Sequence, residues 1–520
     1  GGSGAVGAVD STTFSSTTNL TEAGLKVGDQ LYIYNTGEYL RVASITSDTE
    51  VELESFPTGD PSGSSFAIYR DAVAYSSWYS VDIVSNGAIS TEITNSSFTT
   101  GADGIQVIGG DSDVTIENVI FTDYIDTALY IYRAADDPTY GDLDLLDVTM
   151  NNVGYSGVRC YNSAMDIENL SMSGTMEREL GTVYLDTDGV ELYNSSYTST
   201  GVTAFLNTGC DLVVDGMSIT DASYHSFYST GGSLELSEFA VSGGSELGPV
   251  SQAAVEIRWG DESPVLLASG LEITDTSGDS MRVVGNGQTG SVAFTDMSIE
   301  DSGASGLHLV GMGQALVTGL SVTGSAEQGL KIGGNIVLDS AVLSDNTGYG
   351  LWAGQDQDGD GQTIADGDCN DFDADQYLGA YESDYSYEDF NCNGLSGNGT
   401  WTTSDLDGDG YGISDGDCDE YNASRNPGGS DSPGIDGDCD GVAGALTGEV
   451  NLINSTLTGN TLGGLYLSGH DGDVSGNTLT GNLGYGMTCE SDVSFDTCSS
   501  NDVSGNTLGA LSGCDACIES

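Results

Sequence analysis

A short pattern of strands and turns recurs along most of this chain, and no other sequence feature restricts the fold as strongly. Each copy has a short apolar strand, a glycine turn, and two further short strands separated by Asn, Asp or Gly, as in residues 104–108 and 114–121. The first strands are centred near Ile105, Leu129, Val158, Val183, Phe205, Phe227, Val255, Arg282, Leu307, Leu330 and Leu351. These eleven centres span 246 residues, from 105 to 351, a mean spacing of 24.6 residues. A period of this length without a helical 3.6-residue pattern predicts a β-solenoid.

Composition and strand patterning both predict an all-β protein. The chain has 76 Gly and only 7 Pro among 520 residues, a balance typical of short strands joined by tight turns. Apolar residues at i and i+2 predict one buried face per strand, and the polar residue between the second and third strands is expected to bend the coil. The residues expected to face inward are Val107, Ile116, Val214, Leu307, Val317 and Leu330. The pattern resembles the right-handed, three-stranded parallel β-helix of the pectate-lyase type.

The periodicity divides the chain into five segments. Residues 1–19 are expected to be flexible, and residues 20–72 alternate polar and apolar with hairpin-length gaps, which predicts a small antiparallel β domain. A weak G-D-x-L-x-I pattern there is similar to small β modules of phage tail and bacterial surface proteins. The parallel β-helix is assigned to 73–354, an insertion to 355–444, and the final coils with a cysteine-rich end to 445–520.

The insertion contains a duplicated acidic motif with an offset of 49 residues, from Asp356 to Asp405 and from Cys369 to Cys418. Each copy begins D-x-D-G-D-G, continues through D-G-D-C, and ends in N-C-N-G or D-C-D-G. Within 355–441 there are 23 acidic residues and a single Arg. The candidate metal ligands are Asp356, Asp358, Asp360, Asp366, Asp368, Asp371, Asp373, Asp405, Asp407, Asp409, Asp415, Asp417, Asp419, Asp436, Asp438 and Asp440.

These carboxylates are arranged as in the first half of a calcium loop. Residues 1, 3 and 5 of D-x-D-G-D-G converge, and Gly at position 6 permits the sharp turn. Gly367 and Gly416 occupy the place of the EF-hand's bidentate Glu, and no helical pattern flanks either copy, so these are not EF-hands. Hard oxygen donors without His favour Ca²⁺ over Zn²⁺ or copper.

The duplicated motif resembles the acidic, cysteine-containing metal-binding repeats of secreted bacterial surface proteins. That resemblance implies calcium binding and one disulfide in each repeat, Cys369 with Cys392 and Cys418 with Cys439. Segments with so little hydrophobic core need metals or disulfides in order to fold.

Four further cysteines, at 489, 498, 514 and 517, lie in the last coils and allow three pairings. Cys489 and Cys514 are 25 residues apart, about one coil, so they are expected to lie on adjacent rungs. Cys160 and Cys210 are 50 residues apart, too far for a disulfide between neighbouring coils.

The charge of the chain restricts its partners. With 80 acidic and 10 basic residues the net charge is −70, which disfavours nucleic acids and anionic membrane surfaces. No apolar stretch is long enough for a spanning helix. The few cations in the coils, among them Arg159, Arg258 and Lys331, are interpreted as charge partners of nearby carboxylates. No H-E-x-x-H or G-x-S-x-G motif indicates catalysis, so an enzyme is the less favoured interpretation.

The function expected from the sequence is an extracellular, calcium-binding structural solenoid, acting as a surface fibre, an adhesin or a self-associating filament subunit. The alternatives are a secreted glycan-active lyase or hydrolase and a phage or injection-system tail spike. A neutral glycan bound on exposed tyrosines, or a cell surface, is the other partner that the composition leaves open.

Overall fold

The computed structural model describes residues 2–6, 13–16, 30–33, 38–53, 65–69, 79–84, 90–108, 113–132, 143–161, 165–174, 183–186, 190–199, 203–208, 211–244, 253–258, 265–285, 291–354, 356, 362–371, 376–382, 388–395, 410–419, 425–431, 435–441, 443, 448–491, 493–514 and 517. The chain forms two compact units, Gly1–Val81 with Thr99–Gly104 and Asp82–Phe98 with Ile105–Ser520. Among the described residues the fold is all-β apart from two 3₁₀ turns, Ile364–Asp366 and Ile413–Asp415.

The first unit holds a small antiparallel sheet of six strands that closes on itself in the order β1-β2-β5-β4-β3-β6. Its strands are β1 (Gly2–Val6), β2 (Thr13–Ser16), β3 (Gln30–Ile33), β4 (Glu38–Ser47), β5 (Glu50–Leu53) and β6 (Ser65–Tyr69). The sequence predicted a flexible segment over 1–19, whereas β1 and β2 belong to this sheet. The reason is apolar burial, because Phe14 is packed in a core with Leu31, Leu40, Val42, Val51 and Leu53.

The remaining strands form one sheet of 37 strands, in which the pairings from β9 to β43 are parallel. Before the insertion they are β7 (Tyr79–Val84), β8 (Ser90–Gly101), β9 (Asp103–Ile108), β10 (Asp113–Tyr124), β11 (Thr127–Tyr132), β12 (Leu143–Leu146), β13 (Thr149–Val153), β14 (Ser156–Tyr161), β15 (Met165–Glu168), β16 (Ser171–Gly174), β17 (Val183–Asp186), β18 (Val190–Tyr193), β19 (Ser196–Ser199), β20 (Thr203–Thr208), β21 (Leu212–Asp215), β22 (Ser218–Thr220), β23 (His225–Thr230), β24 (Leu234–Ser237), β25 (Ala240–Ser242), β26 (Ala253–Arg258), β27 (Val265–Ser269), β28 (Glu272–Thr274), β29 (Asp279–Val284), β30 (Ser291–Thr295), β31 (Ser298–Glu300), β32 (Leu307–Thr318), β33 (Ser321–Thr323), β34 (Leu330–Asp339), β35 (Val342–Ser344) and β36 (Tyr349–Ala353). After it come β37 (Gly448–Ile453), β38 (Thr456–Thr458), β39 (Gly463–Leu467), β40 (His470–Ser475), β41 (Tyr485–Cys489), β42 (Phe495–Ser499) and β43 (Gly509–Ser512).

The chain is therefore a parallel β-solenoid, as the repeat predicted. From β11 to β28, each strand pairs with the strand three places further along the chain. Ten of the eleven predicted first-strand centres fall in one in-register column that runs from Ile105 to Leu351. In the eighth coil the column residue is Met281 and not the predicted Arg282, because neighbouring residues of a strand point to opposite faces.

Local sequence explains both the core and the bends. All six residues predicted to face inward are buried, at no more than 1 % exposure. At the bend between the second and third strands, Asn118, Asn169 and Asn194 have φ values of 52°, 57° and 48°, in the left-handed region that asparagine tolerates. In the next coil Gly216 takes this place with φ 78°. The predicted polar bend is thus confirmed, and its cause is the backbone conformation of this residue.

The solenoid continues across the insertion. Leu351 of β36 is in register with Leu465 of β39, so a segment of about one hundred residues enters and leaves between neighbouring coils. A buried asparagine ladder crosses the same point, since Asn346 Nδ2 donates to Asn460 Oδ1 (3.0 Å) and Asn460 Nδ2 to Asn482 Oδ1 (3.1 Å). Two disulfides lie in the final coils, Cys489–Cys514 and Cys498–Cys517. Cys160 is buried, and Cys210 lies outside the described residues.

Candidate metal centre in the paired acidic repeats

The two copies of the acidic motif, here called the first repeat (356–394) and the second repeat (405–441), share one local structure. Each has a single 3₁₀ turn, Ile364–Asp366 or Ile413–Asp415, followed by a glycine in the left-handed region. Gly367 has φ 101° and Gly416 has φ 96°, values that a residue with a Cβ rarely adopts. The glycine that replaces the EF-hand Glu is therefore required by the turn that follows each D-x-D-G-D-G segment.

Each repeat contains one disulfide, and the pairs are those that the resemblance implied. Cys369 is bonded to Cys392 and Cys418 to Cys439, with Cα atoms 5.4 and 5.6 Å apart. Cys369, Cys392 and Cys418 are buried and Cys439 is half-buried. The backbone N–H of each first cysteine donates to the sulfur of its partner. The covalent link closes a loop in a segment that has few apolar residues to bury.

The two repeats interlock through their backbones. Asp436 N–H donates to Cys369 O (3.0 Å), and Asp389 N–H donates to Cys418 O (3.0 Å). Antiparallel bridges join Asn370 to Ile435 and Glu388 to Asp419 beside these bonds. Each repeat therefore supplies hydrogen-bond partners that the other repeat needs.

Asp389 and Asp436 hold the closing turn of each repeat in place. Asp389 accepts hydrogen bonds from the backbone N–H groups of Asn393 (3.2 Å) and Gly394 (2.6 Å). Asp436 accepts the equivalent bonds from Asp440 (3.2 Å) and Gly441 (2.8 Å). Burial raises the pKa of both carboxyls, although these backbone donors and the Arg425 guanidinium act in the opposite direction. Burial thus disfavours the charged forms, and a bound cation would offset this effect.

Three carboxylates of the second repeat converge. Oxygen atoms of Asp431, Asp436 and Asp438 all lie within 4.8 Å of one another, and this is the one such group of three acidic or metal-binding side chains among the described residues. Asp431 accepts from the backbone N–H groups of Gly437 (3.1 Å) and Asp438 (3.4 Å), which fixes it against the loop. A Cβ at Gly437 would lie 2.1 Å from Ser430 O, so this close approach requires glycine.

The donor set of this triad fits Ca²⁺. It consists of carboxylate oxygens alone, and two oxygens bound to one Ca²⁺ at about 2.4 Å cannot be more than about 4.8 Å apart. Asp438 Oδ1 is also shielded from solvent and has no hydrogen-bond partner within the described parts of the chain. An ionised oxygen in that position is costly unless a cation or a donor compensates it. Asp431, Asp436 and Asp438 would therefore hold the ion.

The other predicted ligands have several different environments. Asp368, Asp371 and Asp417 are completely buried, whereas Asp366 and Asp415 are exposed. Asp366 Oδ2 accepts from Thr363 Oγ1 (2.9 Å) and so stabilises the start of the first 3₁₀ turn. Asp356 is half-buried and Asp440 is exposed. Asp358, Asp360, Asp373, Asp405, Asp407 and Asp409 lie outside the described residues.

Asp419 has a charge partner of its own. Its Oδ2 lies 3.4 Å from the Arg425 guanidinium, and Arg425 also donates to the backbone carbonyl of Asp436 (3.3 Å). In the first repeat the same two positions hold Asn370 and Gln376, whose side chains form a neutral hydrogen bond of 2.7 Å. The Asp419–Arg425 ion pair of the second repeat therefore stands where the first repeat has a neutral hydrogen-bonded pair. Because Arg425 already compensates the charge of Asp419, this carboxylate is a poorer metal ligand than its neighbours.

Sequence reasoning missed two residues of this centre, Asp389 and Asp431. Both lie outside the D-x-D-G-D-G and D-G-D-C segments. The position of Asp389, three residues before Cys392, matches that of Asp436 before Cys439, and this spacing is the signal that identifies it. Asp431 lies eight residues before Cys439, and Asp384, which is outside the described residues, lies eight residues before Cys392, so the same spacing could also have identified Asp431.

Comparisons of the chain with protein-family models, with curated proteins and with solved structures give no match. Among the described residues, no helix has both the length and the apolar character needed to cross a membrane.

Proposed function

We propose that this chain is an extracellular structural β-solenoid whose acidic insertion is held folded by Ca²⁺. The observation that carries the proposal is the convergence of Asp431, Asp436 and Asp438 on a loop closed by the Cys418–Cys439 disulfide. The D-x-D-G-D-G segments remain predicted ligands of the same kind.

The proposed location outside the cell rests on the disulfides. Four are formed among the described cysteines, two in the insertion and two in the final coils. Structural disulfides of this kind persist in oxidising compartments and are rare in the cytosol.

The proposed role is that of a scaffold, as a surface fibre, an adhesin or a filament subunit. We assign the solenoid to the right-handed, three-stranded class, and the pairing of each strand from β11 to β28 with the third one after it supports this. Self-association has a candidate surface in Leu462, Leu483 and Leu508, which are 52, 57 and 62 % exposed. They lie at one corner of successive coils, since Leu483 N–H donates to Asn460 O and Leu508 N–H to Gly484 O.

Titration calorimetry of the full chain with CaCl₂ tests the proposal. We expect heat of binding and a higher melting temperature in Ca²⁺, both reduced in the double variant Asp431→Asn/Asp438→Asn. The matched control is Glu235→Gln/Glu272→Gln, which removes the same charge from exposed positions of the solenoid and should bind Ca²⁺ as the parent does. Absence of binding heat together with a melting temperature that chelator does not alter would overturn the proposal.

A further inference from the structure

A groove crosses the outer face of the solenoid along its second strands β15, β18, β21, β24 and β27. Its volume is about 480 Å³, which lies in the range of small-molecule sites. Most of the residues that line it are apolar, and two of them, Val265 and Leu267, are 39 and 46 % exposed. Covering exposed apolar surface is favourable, so the groove suits a ligand that brings apolar groups of its own.

The same groove carries a regular row of negative charge. Asp166 of β15 is in register with Glu191 of β18, and Glu191 is in register with Val213 of β21. Asp211 lies two residues before Val213 on the same rung, so three successive rungs each supply one exposed carboxylate to the groove. Neighbouring rungs are about 4.8 Å apart. Like charges on neighbouring strands destabilise a sheet, and a ligand with matching positive charges removes this repulsion.

Two of these carboxylates are oriented by hydrogen bonds from the protein. The Tyr193 hydroxyl donates to Glu191 Oε2 (2.7 Å), and the backbone N–H of Ser233 donates to Asp211 Oδ1 (2.7 Å). A side chain that is already oriented loses less conformational entropy when a ligand binds. The row is therefore preorganised to receive positive charge.

The arrangement of these carboxylates does not suit a single metal ion. Among the described residues, the one group of three acidic side chains whose oxygen atoms lie within 4.8 Å of one another is that of Asp431, Asp436 and Asp438. A second copy of this chain is a poor source of positive charge, because it has 10 basic and 80 acidic residues. An anion would be repelled. The groove therefore fits a ligand with several separate cationic groups joined by apolar segments.

We propose that this groove binds a linear polyamine. The ammonium groups pair with Asp166, Glu191 and Asp211. The methylene groups between them cover Val213 and Leu267. Ammonium groups joined by three methylene groups are about 5 Å apart in an extended chain, because each bond is about 1.5 Å long. This separation matches the rung spacing of about 4.8 Å. The inference is independent of the calcium site and of the structural role proposed above.

Calorimetry of the full chain with spermine tests this site. About 0.15 M NaCl in the buffer screens attraction to the net charge beyond about 8 Å. We expect spermine to bind at least about tenfold more tightly than Mg²⁺ or tetralysine, because neither presents ammonium groups joined by short methylene chains. Equal binding of Mg²⁺ would show that net charge alone attracts the ligand, and tighter binding of tetralysine would identify a basic peptide as the occupant. Either result would overturn the proposal.

The variant Glu191→Gln/Asp211→Asn locates the site. It removes two of the ion pairs, so spermine binding should weaken about tenfold. The matched control is Glu272→Gln/Glu300→Gln, which removes the same charge from exposed positions on β28 and β31, neighbouring third strands. This control should bind spermine as the parent does. The same loss of affinity in both variants would contradict a site in the groove.

A second variant, Val213→Lys, tests the site even if the double variant does not fold. It places a tethered ammonium group beside the carboxylates, so spermine binding should be lost while the melting temperature without ligand stays equal or rises. Ala293→Lys is the control, because Ala293 lies one rung beyond Leu267 in the same outward-facing column, and it should keep the parent affinity. Parental affinity in Val213→Lys, or no binding of spermine to the parent chain, would show that the proposal is wrong.

Discussion

Asp436 of the second acidic repeat donates its backbone N–H to the carbonyl oxygen of Cys369 in the first repeat, at 3.0 Å. The reciprocal bond joins Asp389 of the first repeat to Cys418 of the second, also at 3.0 Å. The closing turns are in contact too, because a Cβ at Gly394 would lie 3.1 Å from Cys439 O and one at Gly441 would lie 3.4 Å from Cys392 O. The tandem copies are therefore halves of one structural unit.

Loss of one disulfide should consequently loosen both repeats. In the variant Cys418→Ser/Cys439→Ser, we expect faster amide exchange not only in 410–441 but also in 376–395 of the first repeat. Hydrogen exchange followed by mass spectrometry of the full chain measures this. The variant Cys498→Ser/Cys517→Ser, which removes a disulfide of the final coils, should leave exchange in 376–395 unchanged. Unaltered exchange in the first repeat of the former variant would show that the repeats fold separately.

The buried column of the solenoid predicts a strong contrast between two neighbouring residues of β32. Val317 is completely buried and Leu316 is 49 % exposed, because adjacent side chains of a strand point to opposite faces. Val317→Asp places a carboxylate in the core and should destabilise the solenoid by several kcal/mol, on the order of 3 kcal/mol or more. Leu316→Asp should change the stability by less than about 0.5 kcal/mol. Thermal unfolding of both variants checks this, and equal melting temperatures would contradict the register.

The features of the fold that could be predicted are those set by residues close together in the sequence. Alternation within a strand is local, so the column from Ile105 to Leu351 could be predicted within one residue. The only shift, Met281 for Arg282, is a displacement of one residue within β29. The polar bend was equally predictable, because Asn and Gly have a local reason to adopt positive φ.

The candidate metal centre depended in part on contacts that no local pattern encodes. Asp431 becomes a neighbour of Asp436 and Asp438 only after the loop closes over Gly437. Asp389 contacts the second repeat through a backbone bond, which is independent of side-chain type. Burial lowers the pKa of Lys331 and the carboxylates of Asp279, Asp356 and Glu327 raise it, and which carboxylates do so could not be derived from the acidic composition. The acidic composition of the chain predicts the average charge around a cation, but it does not predict which carboxylates lie next to that cation.

The buried Asp279, whose Oδ2 lies 3.0 Å from Arg282 Nη2 and 3.3 Å from His308 Nδ1, predicts a specific dependence of stability on pH. Its folded pKa, about 2, is below the ordinary value of 3.8, so the unfolded chain binds the proton more readily. The resulting stabilisation, on the order of 2 kcal/mol, is fully present above about pH 4 and is lost as the pH falls through about 2. We expect Asp279→Asn to lower the melting temperature at pH 7, with a difference that narrows between pH 4 and pH 2. A difference that stays constant over this range would show that packing, and not charge, is responsible.

The last prediction concerns self-association and follows from charge. At a net charge of −70, copies of the chain repel one another over the Debye length, about 8 Å at physiological salt. Bound Ca²⁺ reduces this charge, and the exposed Leu462, Leu483 and Leu508 side chains then provide apolar area to bury. We therefore expect light scattering to report assemblies in millimolar Ca²⁺ that disperse on chelation.

The variant Leu483→Glu tests whether these leucines form the contact. It places a carboxylate in the middle of the apolar corner, so association in Ca²⁺ should be lost while binding of Ca²⁺ to the insertion is unchanged. Leu267→Glu is the matched control, because Leu267 is also about half exposed, at 46 %, but lies on a different strand, β27. If both variants assemble as the parent does, another surface mediates association. If the parent remains monomeric at every Ca²⁺ concentration, the filament part of the proposed function is wrong, and the calcium site retains only a folding role.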